Sequence, residues 1–405
     1  MRSRPLDPRG PKRRIPVAKP HFDEEEERLL LEVVRSGWVT QGPRVAEFER
    51  AFADAVGATE AVAVTSATTA LFLSLHALGV GRGDEVIVPS LSFIAAANAI
   101  AHTGATPVFA EIDPRSYNLD PEAAAAAVTE RTRAVMVVHQ LGMPAALDRF
   151  EALAQSRGLH LIEDAACAVG ALYRGQPVGS SGRPCCFSFH PRKVLVTGEG
   201  GMITLGDREL AARLRRIRHH GMSVSDLERS QSDRVMIESF PEIGYNFRMS
   251  DLQAALGLAQ LRKLGCFVEK RRALAAHYDQ AFADLDRVDT PFVPDGAVPN
   301  YQSYIVRLRG SSRAQRQSML EALQRRGVAA RRGLMASHLE PCYRGARGSG
   351  NLALTEEADS QTLILPIYHD LGEEDQDHVI RQFRASLEEV FGRPDGRRAA
   401  YGTQP

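Results

Sequence analysis

Ala134-Val135-Met136-Val137-Val138, a helical stretch from Ala146 to Ser156 closed by Gly158, and then Leu159-His160-Leu161-Ile162-Glu163-Asp164 decide the fold. The first run is continuously apolar and too short for a helix, so it reads as a strand covered on both faces. The second apolar run, Leu159 to Ile162, is another such strand, and it delivers Glu163 and Asp164 at its carboxyl end. Strand, helix and strand in that order form a parallel unit.

The same alternation extends in both directions. Pro43 to Val56 reads as a helix stopped by Gly57, because Val45, Phe48, Phe52 and Val56 recur at helical spacing. Ala61 to Val64 is a strand that turns through Thr65-Ser66-Ala67-Thr68 into a helix ending near Leu78. Strands are expected at Val86 to Val88, Thr106 to Phe109 and Met202 to Leu205, and helices over Ala95 to His102 and Pro121 to Val128. Ser250 and Gln253 form a capping-box pattern at the start of a further helix. Around Gly265 the rhythm changes: a helix over Lys270 to Leu285, a proline-rich link from Pro291 to Pro299, a strand at Tyr304 to Leu308, and helices at Arg313 to Arg326 and Glu374 to Phe391.

The expected fold is therefore α/β. A large domain over residues 15–265 carries a mostly parallel sheet flanked by helices, and a smaller α+β domain covers 266–392. Residues 1–14, basic and rich in proline and glycine, and 393–405 read as disordered tails. No internal repeat is present.

The 405 residues carry 50 basic and 50 acidic side chains. A neutral balance gives no global argument for nucleic acid or an anionic membrane. The five cysteines, Cys167, Cys185, Cys186, Cys266 and Cys342, are odd in number and lack a Cys-x-x-Cys pair, so neither a disulfide framework nor a zinc motif is indicated and no metal is expected. No run approaches the roughly 20 apolar residues that span a bilayer, and the first residues lack the apolar core of a secretory signal. A cytoplasmic protein with reduced thiols is the reading.

In open α/β sheets ligands bind beyond the carboxyl ends of the strands. Three polar clusters fall there: Thr65 to Thr68, Ser90 to Phe93 and Glu163 to Cys167. A fourth stretch, Phe187-Ser188-Phe189-His190-Pro191-Arg192-Lys193, runs into Thr197-Gly198-Glu199-Gly200-Gly201. A lysine between an aromatic strand and a glycine-rich turn, once partly desolvated, is suited to attack a carbonyl. Asp164, followed by the small residues Ala165, Ala166 and Cys167, leaves room for a flat ring and offers a carboxylate to a pyridine nitrogen, which makes the ring an electron acceptor. Ser66, Ala67 and Thr68 open a helix directly after a strand, where amide groups, hydroxyls and the helix dipole suit a phosphate, and Ser188 adds a hydroxyl. Each feature alone has an ordinary structural explanation. Together they fit a pyridoxal-phosphate enzyme.

With those residues in place, the chain resembles the DegT/StrS-type sugar aminotransferases of the fold-type I pyridoxal-phosphate superfamily, from about Ile15 to Arg393. The matching stretches are Ser36 to Pro43, Gly83 to Ser90, Thr103 to Phe109, Glu163 to Ala166, Phe187 to Gly201 and Gly244 to Met249. The resemblance implies that Lys193 bonds the cofactor's aldehyde and later carries a proton, and that Asp164 pairs with the ring nitrogen. It implies that Ala67, Thr68 and Ser188 hold the phosphate, that Phe93 stacks on the ring, and that Asn246 reaches the phosphate in the neighbouring subunit of a homodimer. Cys167 stands where the family often has glutamine or histidine beside the cofactor's phenolic oxygen. The phosphate turn reads Ser-Ala-Thr-Thr-Ala, where glycine often precedes the first threonine.

His190, Arg331, Arg332 and His338 are candidate substrate contacts, the arginines suiting a donor carboxylate or a diphosphate. Ser223 to Pro241 reads as a loop at the mouth of the site. The implied activity is transfer of an amino group, with glutamate as donor, to a keto-deoxysugar on a nucleotide. Alternatives are a keto-cyclitol aminotransferase, a pyridoxal-phosphate sugar dehydratase, against which Lys193 argues because that branch carries histidine there, and a non-catalytic sensory homologue.

Overall fold

The computed structural model describes residues 14–348 and 350–392. The expected disordered tails, 1–14 and 393–405, fall outside it except for Arg14. Seven strands form the main sheet in the spatial order Glu60–Val64, Gly201–Leu205, Cys185–Ser188, His160–Asp164, Thr132–Val138, Glu85–Pro89, Thr106–Ala110. All neighbours are parallel except Gly201–Leu205, which runs against both of its partners.

Both faces of this sheet are buried, and the two-residue period of a strand divides its side chains between them. Val62, Val64, Val86, Val88, Met136 and Ile162 pack with Leu71, Leu75, Ile100 and Leu214 from the helices Ala67–Ala77, Ala95–His102 and Arg208–Ile217. On the opposite face Ile87, Val135, Val137 and Leu161 meet Phe150 of the helix Leu147–Arg157. Toward the Glu60–Val64 edge, Ala61, Ala63 and Phe187 pack with Phe48 and Phe52 of the helix Pro43–Val56 and with Ala255 and Leu258 of the helix Asp251–Arg262.

The contact between those last two helices depends on a missing side chain. A Cβ on Gly257 would lie 2.5 Å from the ring of Phe48. A buried ion pair ties the helix Pro43–Val56 to the sheet edge. The Arg218 guanidinium donates to Glu49 and, at 2.6 Å, to the Ala63 carbonyl, and the Ala63 N–H donates back to Glu49 at 2.8 Å.

A second sheet of four antiparallel strands has the order Val288–Asp289, Tyr304–Leu308, Thr362–Leu365, Arg331–Arg332. Its core joins Tyr304, Val306 and Leu363 to Leu323 of the helix Arg313–Arg325 and to Val379 and Phe383 of the helix Glu373–Phe391. The rhythm change near Gly265 has a physical counterpart. The helix Leu264–Phe282 starts six residues before the expected Lys270, and it serves both cores: Phe267 and Val268 pack with the large unit, Leu274, Tyr278 and Phe282 with the small one. Ile15, expected with the large domain, sits in the core of the small one and pairs with Val328.

The proline-rich link is not bare loop. Ala297–Val298 adds a strand to the hairpin of Leu172–Tyr173 and Gln176–Pro177. Helices at Glu24–Ser36, Arg208–Ile217 and Ala353–Gln361 escaped the reading of the sequence, the first in spite of a full capping box from Asp23 and Glu26. Among the described residues no helix is long and apolar enough to cross a membrane.

Two substitutions test this account. Replacing Arg218 by alanine leaves the buried Glu49 carboxylate with the longer 3.6 Å contact to half-exposed Arg215 as its remaining ion pair among the described residues, and equilibrium urea unfolding is expected to show a loss of about 3 kcal/mol. Gly257→Val, which forces side-chain carbons into Phe48, is expected to cost about 1–3 kcal/mol by the same measurement.

Candidate active site

The register of the sheet assembles the site. Val64 pairs with Gly201, and Gly201 with Ser188, so the turn after the first strand, the glycine and the serine lie side by side at one end of the sheet. A Cβ on Gly201 would fall 2.5 Å from the carbonyl carbon and oxygen of Ser66 and 2.8 Å from the Ala67 nitrogen. Only a glycine lets the strand run under this turn. The helix Ala67–Ala77 begins with a capping box in which Ser66 accepts from the Thr69 N–H and the Thr69 hydroxyl accepts from the Ser66 N–H. That arrangement uses Ser66 and Thr69 and leaves the Thr68 hydroxyl without a hydrogen-bond partner among the described residues. Ser188 is nearly buried, and its hydroxyl accepts from the His190 N–H at 3.4 Å. The start of this helix and Ser188 therefore flank Gly201 at one end of the sheet, and the amides of a helix start are the groups a phosphate would need.

Asp164 ends the next strand over, paired with Cys186 and Val138. It is buried, and Oδ1 accepts from the Ala166 N–H at 3.0 Å. Burial raises its carboxyl above the ordinary aspartate range, against the pull of the Ala166 N–H and of the charges on Lys193 and His139. A carboxylate in this position is short of positive partners, and the protonated nitrogen of a pyridine ring is such a partner. The preceding residue, Glu163, points to the opposite face. Burial opposes its ionisation too, but His139 (Nε2 at 3.1 Å), Arg183 (3.2 Å) and Ser181 (2.7 Å) together bring it below the ordinary glutamate range. His139 accepts from the Ala145 N–H through Nδ1, so its ring proton faces Glu163. Its backbone N–H donates to the Asp164 carbonyl at 3.0 Å.

Lys193 follows the strand Cys185–Ser188 through a turn closed by its N–H on the His190 carbonyl at 2.8 Å. Its Nζ lies 3.1 Å from Cys167 Sγ. Cys167 is thus next to the lysine. Arg331 shares this neighbourhood. Burial lowers its pKa, the charge of Arg192 lowers it further, and Cys167 opposes the effect. Its Nε is buried without a hydrogen-bond partner, and no carboxylate pairs with it among the described residues. His190 feels Arg192, Lys193 and Arg331, and burial is the largest cause of its lowered pKa.

Other candidates lie elsewhere. His338 is buried, with Nδ1 2.7 Å from the Ser90 hydroxyl and Nε2 3.3 Å from Glu356. Both ring nitrogens are engaged, and it fastens the loop 90–93. Ser92 N–H donates to the Met335 carbonyl at 3.0 Å and completes that attachment. Phe93, at the tip of the loop, is 61% exposed, as a ring meant to cover a ligand would be. Arg332 is exposed and reaches Glu340 at 3.5 Å. Asn246 bonds to Arg248 and bridges to His219, with no contact to Lys193 or Asp164 in its own chain. The segment Ser223 to Pro241 is not simply a loop. It contains the helix Asp226–Gln231, and Asp226 engages Arg248 at 3.2 Å.

Three residues outside the expected set hold the site together. Asn300 donates from Nδ2 to the carbonyls of Cys167 (2.8 Å) and Val169 (2.7 Å), and its Oδ1 occupies the space that a side chain on Gly142 would need. Gln302 donates to the Arg192 carbonyl at 2.8 Å, beside the lysine. His139, described above, could have been found from its place after the strand Ala134 to Val138; Asn300 and Gln302 lie between the proline-rich link and the strand from Tyr304 and carry no such signal.

The profile of the DegT/DnrJ/EryC1/StrS aminotransferase family matches residues 20–384. The spore coat polysaccharide biosynthesis protein SpsC of Bacillus subtilis is 40% identical over 91% of this chain and 96% of its own length. GDP-perosamine synthase of Caulobacter vibrioides is 40% identical over 93% and 98%. Spr1654 of Streptococcus pneumoniae, solved in its PLP form, superposes with a TM-score of 0.87 at 28% identity, covering 93% of this chain and 100% of that one. With Lys193, Asp164 and the phosphate turn already assembled by the sheet, these likenesses establish that the chain belongs to the DegT/DnrJ/EryC1/StrS family and is a pyridoxal-phosphate-dependent aminotransferase.

Proposed function

We propose that this enzyme transfers the amino group of glutamate to a keto sugar carried on a nucleotide, and that it works as a homodimer. The observation that carries the reading is Arg331: a largely buried guanidinium beside Cys167 and Arg192, with no acid of its own. An unpaired cation in such a place is costly unless an anion arrives. Glutamate brings a carboxylate, and a nucleotide-linked sugar brings a diphosphate; either suits a guanidinium better than a neutral cyclitol does. GDP-perosamine synthase, by its name a maker of a nucleotide-linked amino sugar, supports the same class of acceptor.

Bound pyridoxal phosphate supplies an aldehyde that carries the amino group between the two half-reactions and a ring that accepts negative charge from the adjacent carbon. The chain's own residues do the rest. Thr68, Ser188 and the amides from Ala67 onward would hold the phosphate, and Phe93 would cover one face of the ring. Asp164 would keep positive charge on the ring nitrogen, which in turn relieves the penalty of its own burial. The Lys193 amine would hold the aldehyde carbon and, when displaced by an incoming amine, move the proton at the reacting carbon.

The dimer is supported by apolar side chains left in water by the single chain. Val235 is 94% exposed, Ile237 and Ile243 86%, all on or beside the segment that precedes Asn246. Asn246 itself is exposed, and in the homodimer it would act in the neighbouring subunit.

Lys193→Ala is expected to cut transamination with glutamate by at least about a thousandfold, and borohydride treatment of the loaded wild type should fix the cofactor on the Lys193 peptide alone. Arg331→Met should raise KM for the anionic substrates about tenfold or more, the loss of one charged contact; turnover of keto-inositols with none of nucleotide-linked keto sugars would overturn the proposed acceptor. A third test uses the sign of the Asp164 shift. A carboxyl whose folded pKa is raised is destabilising once ionised, so stability is lost as pH climbs from the unfolded pKa through the folded one. Asp164→Asn is therefore expected to raise the melting temperature of the cofactor-free protein at pH 7 while weakening retention of pyridoxal phosphate, measured by equilibrium dialysis.

A further inference from the structure

Beyond the transamination site, a second group of ligating side chains gathers where the start of the chain crosses the small sheet. Ile15 pairs with Val328, the Ile367 N–H donates to the Val17 carbonyl, and Gln260 Nε2 donates to the His21 carbonyl at 2.7 Å, so the arm is fixed along its length. His21 there meets His369 and Asp370. Its Nδ1 lies 2.6 Å from Asp370 Oδ1, and the two imidazoles are 4.7 Å apart at 64°. One ligating atom from each of the three residues lies within 4.8 Å of the other two. Buried Phe267 presses on both rings, with centroids 5.8 Å from His21 and 4.9 Å from His369. The Nδ1 of His369 is buried and has no hydrogen-bond partner among the described residues. A polar atom in that state costs free energy that a ligand would recover.

We infer that His21, His369 and Asp370 form a binding site for a divalent transition metal of the zinc class, clasping the arm to the small unit. Two imidazoles and one carboxylate suit such an ion, whereas calcium and magnesium prefer oxygen donors throughout. Tetrahedral zinc at 2.0–2.1 Å from its ligands sets them about 3.3 Å apart. The side chains need to draw in by roughly 1.5 Å from the separation present, which the exposed Asp370 and the ends of the two histidines permit. Lys19 Nζ, 3.3 Å from Asp370 Oδ2, occupies part of the carboxylate; its side chain is 58% exposed and free to swing into water. The donors come from distant parts of the chain and include no cysteine, which is why no spacing motif announces them. None touches Lys193, Asp164 or the phosphate turn, so the clasp stabilises the fold by binding the folded chain alone.

The test uses the full chain, without a histidine tag, loaded with pyridoxal phosphate and stripped of metal by a chelator. After equilibration with micromolar zinc, elemental analysis is expected to find one zinc per chain, and thermal unfolding to show a rise of a few degrees. His369→Ala and His21→Ala are each expected to weaken binding by at least about tenfold and to remove the thermal shift. Asp370→Asn, at an exposed position and nearly isosteric, guards against loss through misfolding and should weaken binding as well. Cys266→Ser and Cys342→Ser, which remove exposed thiols, should leave it unchanged. Absence of bound zinc in the wild type, equal binding by the three ligand variants, or loss confined to the cysteine variants would overturn the site.

Discussion

A carboxylate buried at the end of an interior strand is the constraint on which this active site rests. Asp164 has one backbone amide for a partner and an environment that resists its charge. The fold tolerates it because the strand is gripped from both sides, by Val138 through four residues of parallel pairing below it and by Cys186 on the other edge. The same strand sends Glu163 to the opposite face, where His139, Arg183 and Ser181 satisfy it. Two adjacent acids thus meet opposite fates by the alternation of a strand. One is a settled structural anion, and the other is held in deficit of positive charge, ready for a ligand that brings it. A protein that neutralised both would be more stable and would have no reason to bind a pyridinium ring.

The reach of this arrangement into the small unit is longer than a list of catalytic groups suggests. Buried Arg271 donates to the carbonyls of Gln302 and Ile367, and Gln302 donates to the carbonyl of Arg192, next to the lysine. Asn300 spans Cys167 and Val169 on one side and accepts from the Gln302 N–H on the other. The segment 300–302 is therefore a brace between the lysine turn, the aspartate turn and the second sheet. Because the helix Leu264–Phe282 supplies side chains to both cores, the two sheets are joined by packing as well as by these polar contacts. Arg331 arrives from the far strand of the second sheet by the same junction.

What the sequence disclosed and what it withheld divide along this line. Strand and helix identities in the large unit were legible because continuous apolar runs such as Val135 to Val138 and periodic ones such as Val45 to Val56 encode burial locally. Lys193, Asp164 and the Ser66–Thr68 turn were expected together because strand ends in a parallel sheet are where ligands bind, and the register brings the strands that carry them side by side. The partners of His338, Ser90 and Glu356, come from other parts of the fold and could not be read from its own stretch of sequence. Ile15 was assigned to the wrong unit for a related reason: a parallel bridge to Val328 leaves no mark in the first residues. The amphipathic helix Glu24–Ser36 did leave one, in Asp23 and Glu26, and it went unread.

Asn300 and Gln302 illustrate the remaining limit. Nothing about an asparagine after a proline distinguishes a surface turn from a brace, since its value lies in two carbonyls supplied by residues 167 and 169, and that of Gln302 in the carbonyl of residue 192. Yet Gly142, with φ of 91° and its missing side chain filled by Asn300 Oδ1, is the complementary half of that contact. A glycine in a left-handed conformation and an amide seated against it are selected together: any side chain at 142 would push Asn300 away and release the turns on which Cys167 and Lys193 depend. The geometry around Lys193, the proposed catalytic lysine, is thus secured by a position with no chemistry of its own, and that dependence follows from packing alone.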